Sequence, residues 1–170
     1  MQLYLLRHAI AEERGPRWTG HDADRPLTRK GSKKMKRIAS AMNDRGVSFD
    51  LILSSPFRRA KQTADIVAKE FDCADILRYS THLSVGASRR ALIDEIKSHY
   101  STRKNILLVG HEPFLSGLIS TLVAGHEKSS IALKKGGLCK LTVESLRYGR
   151  CATLDWLLSP SQVLLRDGHS

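Results

Sequence analysis

Two short apolar runs, each followed by a histidine, constrain the fold of this chain most. Residues 3–6 lead directly into Arg7 and His8, and residues 106–109 end two positions before His111. Unbroken apolar runs of this length are typical of strands buried on both faces, as in a parallel sheet. In open α/β sheets, ligands bind at the carboxyl ends of the strands. The two histidines are therefore predicted to face one crevice at the same edge of a sheet.

Amphipathic segments alternate with the strand-like segments. Apolar residues recur at helical spacing within residues 35–42, 60–71, 92–100 and 115–122. Strands are predicted at residues 2–7, 51–53, 76–79, 106–109, 137–144 and 151–158. The order β-α-β-α-β-α-β-α-β-β predicts an α/β fold of three α/β/α layers, with a mostly parallel central sheet and an antiparallel edge strand. Without a linker or an internal repeat, the chain is expected to form a single domain over residues 1–170.

The composition narrows the class of protein. Hydrophobic residues make up 41% of the chain, and no apolar run approaches the roughly 20 residues that span a bilayer. The first residues predict a strand rather than a secretory signal. The three cysteines form no Cys-x-x-Cys pair, which favours reduced thiols. We therefore expect a cytoplasmic monomer that does not associate with membranes.

The formal net charge of +11 favours anionic partners. Five basic residues lie in one predicted helix, where they can also simply form a solvated surface: Lys30, Lys33, Lys34, Lys36 and Arg37. Neither a basic platform interleaved with aromatics nor a glycine-rich RNA-binding motif is present. Nucleic acid is therefore not an expected partner, whereas phosphorylated substrates are.

Three strand-to-helix junctions carry residues that can handle a phosphoryl group. Arg7 and His8 follow the first strand. Arg59 lies shortly after the second strand, and His111 follows the fourth. A neutral imidazole can attack phosphorus, and a guanidinium can hold phosphoryl oxygens in a bidentate grip. The long polar connection over residues 9–29 is predicted to form a wall of this site.

Four sequence blocks stand in a fixed order: Arg7-His8-Ala9, Asp24-Arg25-Pro26-Leu27-Thr28, Ser55-Pro56-Phe57-Arg58-Arg59-Ala60-Lys61-Gln62-Thr63-Ala64 and Val109-Gly110-His111-Glu112-Pro113. Together they resemble the histidine phosphatase (phosphoglycerate mutase-like) superfamily, and the short chain resembles its small SixA-type phosphohistidine phosphatase branch. The resemblance covers residue 2 to about residue 158. It implies a phosphoglycerate mutase-like fold and a phosphatase that works through a covalent phosphohistidine, with neither metal nor cofactor.

The resemblance assigns a catalytic role to four residues. It implies that His8 is the nucleophile and that Arg7 and Arg59 clamp the phosphoryl group. Arg59 is chosen over Arg58 because it directly precedes the alanine of the Arg-Ala-x-x-Thr pattern. His111 is expected to donate to the phosphoryl oxygens and to stabilise the transition state.

Two further residues are assigned to substrate binding, Arg25 and Glu112. Arg25 matches the Arg-Pro-Leu-Thr motif of the branch and is expected to reach the phosphate or the mouth of the groove. A metal site made from the histidines is disfavoured, because the flanking arginines repel a divalent cation.

The chain departs from the superfamily pattern in two places. Ala9 replaces the usual glycine after the nucleophile, and residues 82–88 contain no carboxylate where many superfamily phosphatases have a general acid. An alkoxide leaving group needs that proton, whereas the imidazole of phosphohistidine can leave as a neutral base. The missing acid therefore favours P–N substrates, unless an acid of the long connection takes the role: Glu12, Glu13, Asp22 or Asp24.

The predicted function is hydrolysis of phosphohistidine on a phosphorylated protein, with phosphate ion as product. Two alternatives remain open: a phosphatase for small phosphate esters such as sugar phosphates, and a non-catalytic basic module that binds phosphorylated proteins. The two phosphatase functions require the side chains of His8, Arg59 and His111 to reach one common oxyanion, whereas a binding module does not depend on His8.

Overall fold

The computed structural model describes residues 1–15 and 18–165 of the chain. Its strands are β1 (Gln2–Arg7), β2 (Leu51–Ser54), β3 (Leu77–Tyr79), β4 (Asn105–Gly110), β5 (Leu138–Val143) and β6 (Ala152–Leu158). Its helices are α1 (Arg29–Asp44), α2 (Arg58–Glu70), α3 (Arg89–His99), α4 (Phe114–Ala124) and α5 (Pro160–Val163). Short 3₁₀ helices cover Asp22–Asp24, Ala74–Ile76 and Thr81–Leu83. No helix in the described ranges is both long and apolar enough to cross a membrane.

The six strands form one sheet in the order β3-β2-β4-β1-β5-β6. Strands β1 to β4 are parallel, and β5 runs antiparallel to both β1 and β6. The antiparallel edge is therefore a hairpin, and the predicted α/β class is confirmed. Arg7 pairs with Gly110, and Ser54 pairs with Val109. This register brings the carboxyl ends of β1, β2 and β4 level at one edge of the sheet.

Helices cover both faces of the sheet because successive strand residues point to opposite sides. Leu3 and Leu5 of β1 pack with the buried residues of α3 and α4. Tyr4 and Leu6 pack on the other side, with the buried residues of α1 and α2. The apolar stripes that predicted these helices are thus the surfaces that form the two cores.

The connection between β1 and α1 is tied to the start of α1. Thr28 caps the helix, since its side chain accepts a hydrogen bond from the Gly31 N–H at 2.9 Å. The Thr28 N–H donates to the carbonyl oxygen of Ile10 at 3.0 Å. A side chain at Gly31 would overlap that same carbonyl group. Ala11 pairs with Leu27, which closes the connection at its base.

Candidate active site

The ends of three parallel strands meet at one crevice. His8 follows β1, Ser55 follows β2, and His111 follows β4. The ring centroids of His8 and His111 are 5.1 Å apart. The Nε of Arg59, near the start of α2, lies 3.3 Å from the Nε2 of His8. The structure thus brings together the three side chains that the sequence placed at separate junctions.

His8 is held as a neutral base. Its ring is only 5% exposed, and its Nδ1 lies 2.7 Å from the carbonyl oxygen of Ala9. A carbonyl oxygen can only accept, so Nδ1 carries the proton and Nε2 keeps its lone pair, which accepts a hydrogen bond from the Arg59 Nε–H at 3.3 Å. Burial, joined by the charges of neighbouring groups, lowers the pKa of His8 to about 3.

Arg59 is fixed from several directions. It is 2% exposed and donates to the Asp22 carbonyl oxygen at 2.6 Å and to Asp22 Oδ2 at 3.0 Å. Its guanidinium also lies 5.3 Å from the centre of the Phe57 ring. One helical turn later, Thr63 donates to the Arg59 carbonyl at 2.7 Å and accepts from the Ala9 N–H at 3.1 Å. Thr63 therefore connects the backbone of the arginine with the backbone beside His8.

His111 is engaged through the other ring nitrogen. It is 1% exposed, and its Nε2 lies 2.8 Å from the Ser55 hydroxyl oxygen. That oxygen also accepts the Phe57 N–H at 3.3 Å, and its own proton can be donated to Nε2. In that arrangement the ring proton of His111 resides on Nδ1, which is buried and has no partner within the described residues. Burial, followed by the charge of Arg59, lowers the pKa of His111 to about 3, so the ring is neutral at pH 7.

Arg7 reaches the site from the last position of β1. Its Nη1 donates to the carbonyl oxygen of Leu133 at 2.9 Å. The Gly136 N–H lies 3.0 Å from the Arg7 carbonyl oxygen and 3.2 Å from that of His8. The turn before β5 thus holds the end of β1 in place, although nothing in the sequence predicted that contact.

Two buried donors of the site have no partner within the described residues. They are Nε of Arg7 and Nδ1 of His111. An unsatisfied buried donor is rare in proteins and calls for a ligand that accepts hydrogen bonds. With the lone pair of His8 Nε2 nearby, the site can bind a tetrahedral oxyanion and attack its central atom.

Asp22 is the residue whose role the sequence did not predict. Its Oδ1 lies 3.0 Å from Arg25 Nη2 and 3.1 Å from Arg14 Nη2, while Oδ2 contacts Arg59. Desolvation raises the pKa of Asp22, but the nearby guanidinium groups outweigh it and hold the pKa below its ordinary value. The carboxylate is therefore ionised at neutral pH, which makes it a poor proton donor. In the sequence, the available signal for this ion pairing was that Asp22 has an arginine on each side, Arg14 and Arg25.

Arg25 and Glu112, the two residues assigned to substrate binding, stand at the margin of the site. Arg25 donates to the Glu12 carbonyl at 3.0 Å and keeps a buried Nε without a partner in the described residues. Glu112 Oε1 accepts the Ser116 N–H at 2.9 Å, so it caps the first turn of α4. Contact with substrate stays a prediction for both residues.

The described residues contain no cluster of three or more His, Cys, Asp or Glu side chains suited to a metal ion. Of the other histidines that could contribute to a metal site, His21 and His126 are exposed. The segment after β3 has its Leu83 side chain buried in the core, and residues 82–88 bring no carboxyl group. The side chains that meet at the strand ends are the imidazoles of His8 and His111 and the guanidinium group of Arg59.

Comparison with known proteins agrees with this geometry. Residues 3–83 match the family model of the histidine phosphatase superfamily (branch 1). An uncharacterised protein of Picosynechococcus sp. strain PCC 7002 is 32% identical over 142 residues, which are 83% of this chain and 84% of that protein.

Two solved structures share the fold. The protein histidine phosphatase SixA complexed with tungstate has a TM-score of 0.79 and 21% identity, over 95% of this chain and 98% of that one. The alpha-ribazole phosphatase of Shigella flexneri has a TM-score of 0.72 and 22% identity, over 94% of this chain and 97% of that one. At these identities the similarity establishes the fold and leaves the substrate open.

Proposed function

Because this chain belongs to the histidine phosphatase superfamily, we propose that it is a phosphatase that hydrolyses phosphohistidine on other proteins. One observation carries the proposal. The unprotonated Nε2 of His8 stands among buried N–H donors, and those of Arg7 and His111 have no partner in the described residues. This arrangement matches the oxygens and the phosphorus of a phosphoryl group.

In the first step, His8 Nε2 attacks phosphorus while the substrate's P–N bond breaks. Arg7, Arg59 and His111 donate to the phosphoryl oxygens, whose charge they stabilise. The departing imidazole takes the bonding electron pair and leaves as a neutral ring when its other nitrogen is protonated. The phosphoryl group is now bound to His8.

The second step depends on the hydrogen bond between His8 Nδ1 and the Ala9 carbonyl. Because Nδ1 keeps its proton, phosphorylation of Nε2 makes the ring cationic. When water attacks phosphorus, the bond to Nε2 breaks and His8 returns to its neutral form without a separate acid. The water oxygen becomes the fourth oxygen of inorganic phosphate, and both of its protons leave with the product, as H2PO4⁻ or as HPO4²⁻ and a proton released to solvent.

A P–N substrate is favoured over an ester because, within the described residues, the carboxyl group that contacts the catalytic arginine is a poor proton donor for an alkoxide. The carboxyl group that reaches Arg59 belongs to Asp22, and its pKa is lowered by the surrounding guanidinium groups. Residues 82–88, which follow β3, contain no acid. An alkoxide released here would remain unprotonated, which disfavours its departure.

The covalent intermediate provides the first test. The protein is mixed with radiolabelled phosphohistidine and denatured within milliseconds to seconds. We expect acid-labile, base-stable phosphate on the peptide that contains His8, and none in a His8→Ala variant. Exposed His99→Ala is the matched control and should label as the wild type does. Labelling of a different histidine would contradict the proposed mechanism.

The substrate class provides the second test. The alternative, a phosphatase for small esters, is supported by the fold shared with an alpha-ribazole phosphatase. Rates are compared for a phosphohistidine peptide and for a panel of sugar and nucleoside phosphates. We expect the highest kcat/KM with the peptide, and a consistent preference for esters would overturn the P–N assignment. Binding without any turnover would instead indicate a module that recognises phosphorylated proteins.

A further inference from the structure

Helix α1 carries the largest unneutralised charge in any helix of the structure. Its first nine residues include six basic side chains, and its single carboxylate stands at the last position, Asp44. None of these basic side chains forms an ion pair within residues 1–15 and 18–165. They are Arg29, Lys30, Lys33, Lys34, Lys36 and Arg37.

The six side chains share one face of α1. They recur at spacings of three and four residues, opposite the buried stripe that contains Met35, Ile38, Ala39 and Met42. All are exposed except Lys34, which is partly buried. We refer to this surface, formed by the six residues, as the basic face of α1.

The basic face is unfavourable for the isolated chain. Like charges three and four positions apart repel each other along a helix. Cations near the amino end also oppose the helix dipole, which is positive there. A local conflict of this kind, without a compensating contact, is typical of a surface that serves a function.

The amino-terminal half of α1, which carries the basic face, starts at the edge of the sheet where the catalytic crevice lies. At Gly31, α1 meets the backbone of Ile10, two residues after His8. At Ile38, it meets Gly136, whose N–H contacts the carbonyl oxygens of both Arg7 and His8. The buried stripe of α1 is thus packed on both segments that hold the nucleophile, and the basic face lies on the outward side of the same helical turns.

Building on the proposed function, we infer that the basic face of α1 is the docking surface for an acidic protein that carries the phosphohistidine. A small metabolite bound at His8 would leave these side chains unused, whereas a folded domain with a surface phosphohistidine would extend over them. Charge complementarity would accelerate the encounter and orient the carrier.

Other polyanions fit this surface less well. Residues 29–44 contain no aromatic side chain for stacking on nucleic-acid bases. A membrane-bound helix buries its apolar face in lipid, but the apolar face of α1 is already buried in the core. An acidic protein surface needs neither feature.

The test compares two triple variants that lose the same charge. Lys30→Gln, Lys33→Gln and Arg37→Gln neutralise part of the basic face. Lys97→Gln, Arg103→Gln and Lys104→Gln neutralise exposed residues near the start of β4, at the opposite edge of the sheet. Circular dichroism and thermal unfolding confirm that both variants fold.

Two substrates are used: free phosphohistidine, and a small acidic protein phosphorylated on one surface histidine with phosphoramidate. For the phosphoprotein at low salt, we expect kcat/KM of the α1 variant to fall about tenfold or more, and that of the control variant to change about twofold. With free phosphohistidine, both variants should match the wild type. The difference between the variants should shrink as salt rises from about 20 mM to about 300 mM.

Each outcome decides between the explanations. Equal losses in the two variants would show an effect of net charge and overturn the docking surface. An α1 variant that binds labelled single-stranded DNA or anionic vesicles more weakly, yet turns over phosphoprotein normally, would do the same. If the wild type hydrolyses no phosphohistidine, the proposed function fails. In that case, the fluorescence anisotropy of the labelled, unphosphorylated acidic protein still measures how tightly it binds the α1 variant and the control variant. Weaker binding by the α1 variant alone would still support the docking surface.

Discussion

His8 and His111 occupy equivalent positions, each immediately after one of the adjacent parallel strands β1 and β4. Both rings are buried, and burial is the main reason that the pKa of each falls to about 3. They differ in the ring nitrogen that is engaged. Nδ1 of His8 meets a backbone carbonyl, whereas Nε2 of His111 meets the hydroxyl of Ser55.

The difference shows how one residue type supplies two functions. The carbonyl of Ala9 forces the proton of His8 onto Nδ1, so Nε2 is a base. The hydroxyl of Ser55 can donate to Nε2 of His111, and the ring proton then lies on Nδ1, which becomes a donor. The hydrogen-bond partner of each ring, rather than its pKa, therefore determines its role. The predictions below test this difference, from the largest expected effect to the smallest.

Removal of the base should have the largest effect. His8→Ala should lower kcat/KM for phosphohistidine by about 10⁴-fold or more, because no group remains to accept the phosphoryl group. Binding of inorganic phosphate should persist, since the arginine donors are unchanged. Steady-state rates and phosphate titrations measure the two effects. Activity above about a hundredth of the wild-type value would mean that another residue attacks phosphorus.

Removal of the donor should have a smaller effect on the same reaction. His111→Ala should lower kcat by about 10²- to 10³-fold, the usual effect of losing one donor to the transition state. His111→Asn, which offers an amide N–H, should recover part of the rate. Trapping should still find the phosphoryl group on His8. If His111→Ala abolished the phosphoenzyme while His8→Ala retained it, the two roles would be reversed.

Ser55 acts through His111 as a positioning residue. Ser55→Ala should lower kcat by about tenfold, roughly the contribution of one hydrogen bond near a charged group. Nitrogen-15 NMR of the His111 ring should show a shift from the Nδ1–H tautomer toward a mixture. Ser55→Thr keeps the hydroxyl group and should retain the wild-type tautomer. An unchanged tautomer in Ser55→Ala would show that another group sets the proton of His111.

The two histidines should respond alike to pH, because both are buried as neutral rings. In the folded state each has a pKa of about 3, whereas the unfolded chain binds protons at each ring below about pH 6.5. The free energy of unfolding should therefore fall as pH decreases from about 6.5 toward about 3. The slope is about 1.4 kcal/mol per pH unit for each histidine.

Urea unfolding between about pH 4.5 and about pH 6.5 measures this slope within the window that the two pKa shifts define. His8→Asn and His111→Asn each remove one of the two protons, so each variant should have a shallower slope than the wild type. If only one of them changed the slope, the two rings would differ in burial in solution, contrary to the structure.

Much of the site could be predicted because it depends on local pattern. Each histidine follows an apolar strand, and parallel strands bring their carboxyl ends to one edge. The choice of Arg59 over Arg58 came from the resemblance to the histidine phosphatase superfamily, through its Arg-Ala-x-x-Thr pattern. In the structure Arg59 is buried against His8, and Arg58 is exposed.

The remaining features depend on contacts between residues that are distant in sequence. The tautomer of His111 is set by Ser55, which is 56 positions away. The end of β1 is held by Gly136, through hydrogen bonds that no local pattern encodes. The sequence suggested Asp22 as a proton donor, whereas in the structure it pairs with three arginines. Those ion pairs depend on how the connection between β1 and α1 folds, which no local pattern encodes.

The contact between Gly31 and Ile10 also limits how the substrate range of this chain could be changed. Thr28 and Gly31 attach the start of α1 to the Ile10 carbonyl, and a methyl group at position 31 would push the helix away. A longer loop inserted between Ala11 and Leu27 in the sequence would be separated from the nucleophile by the pairing of those two residues. An insertion between His8 and Ala11 would instead lie next to the nucleophile.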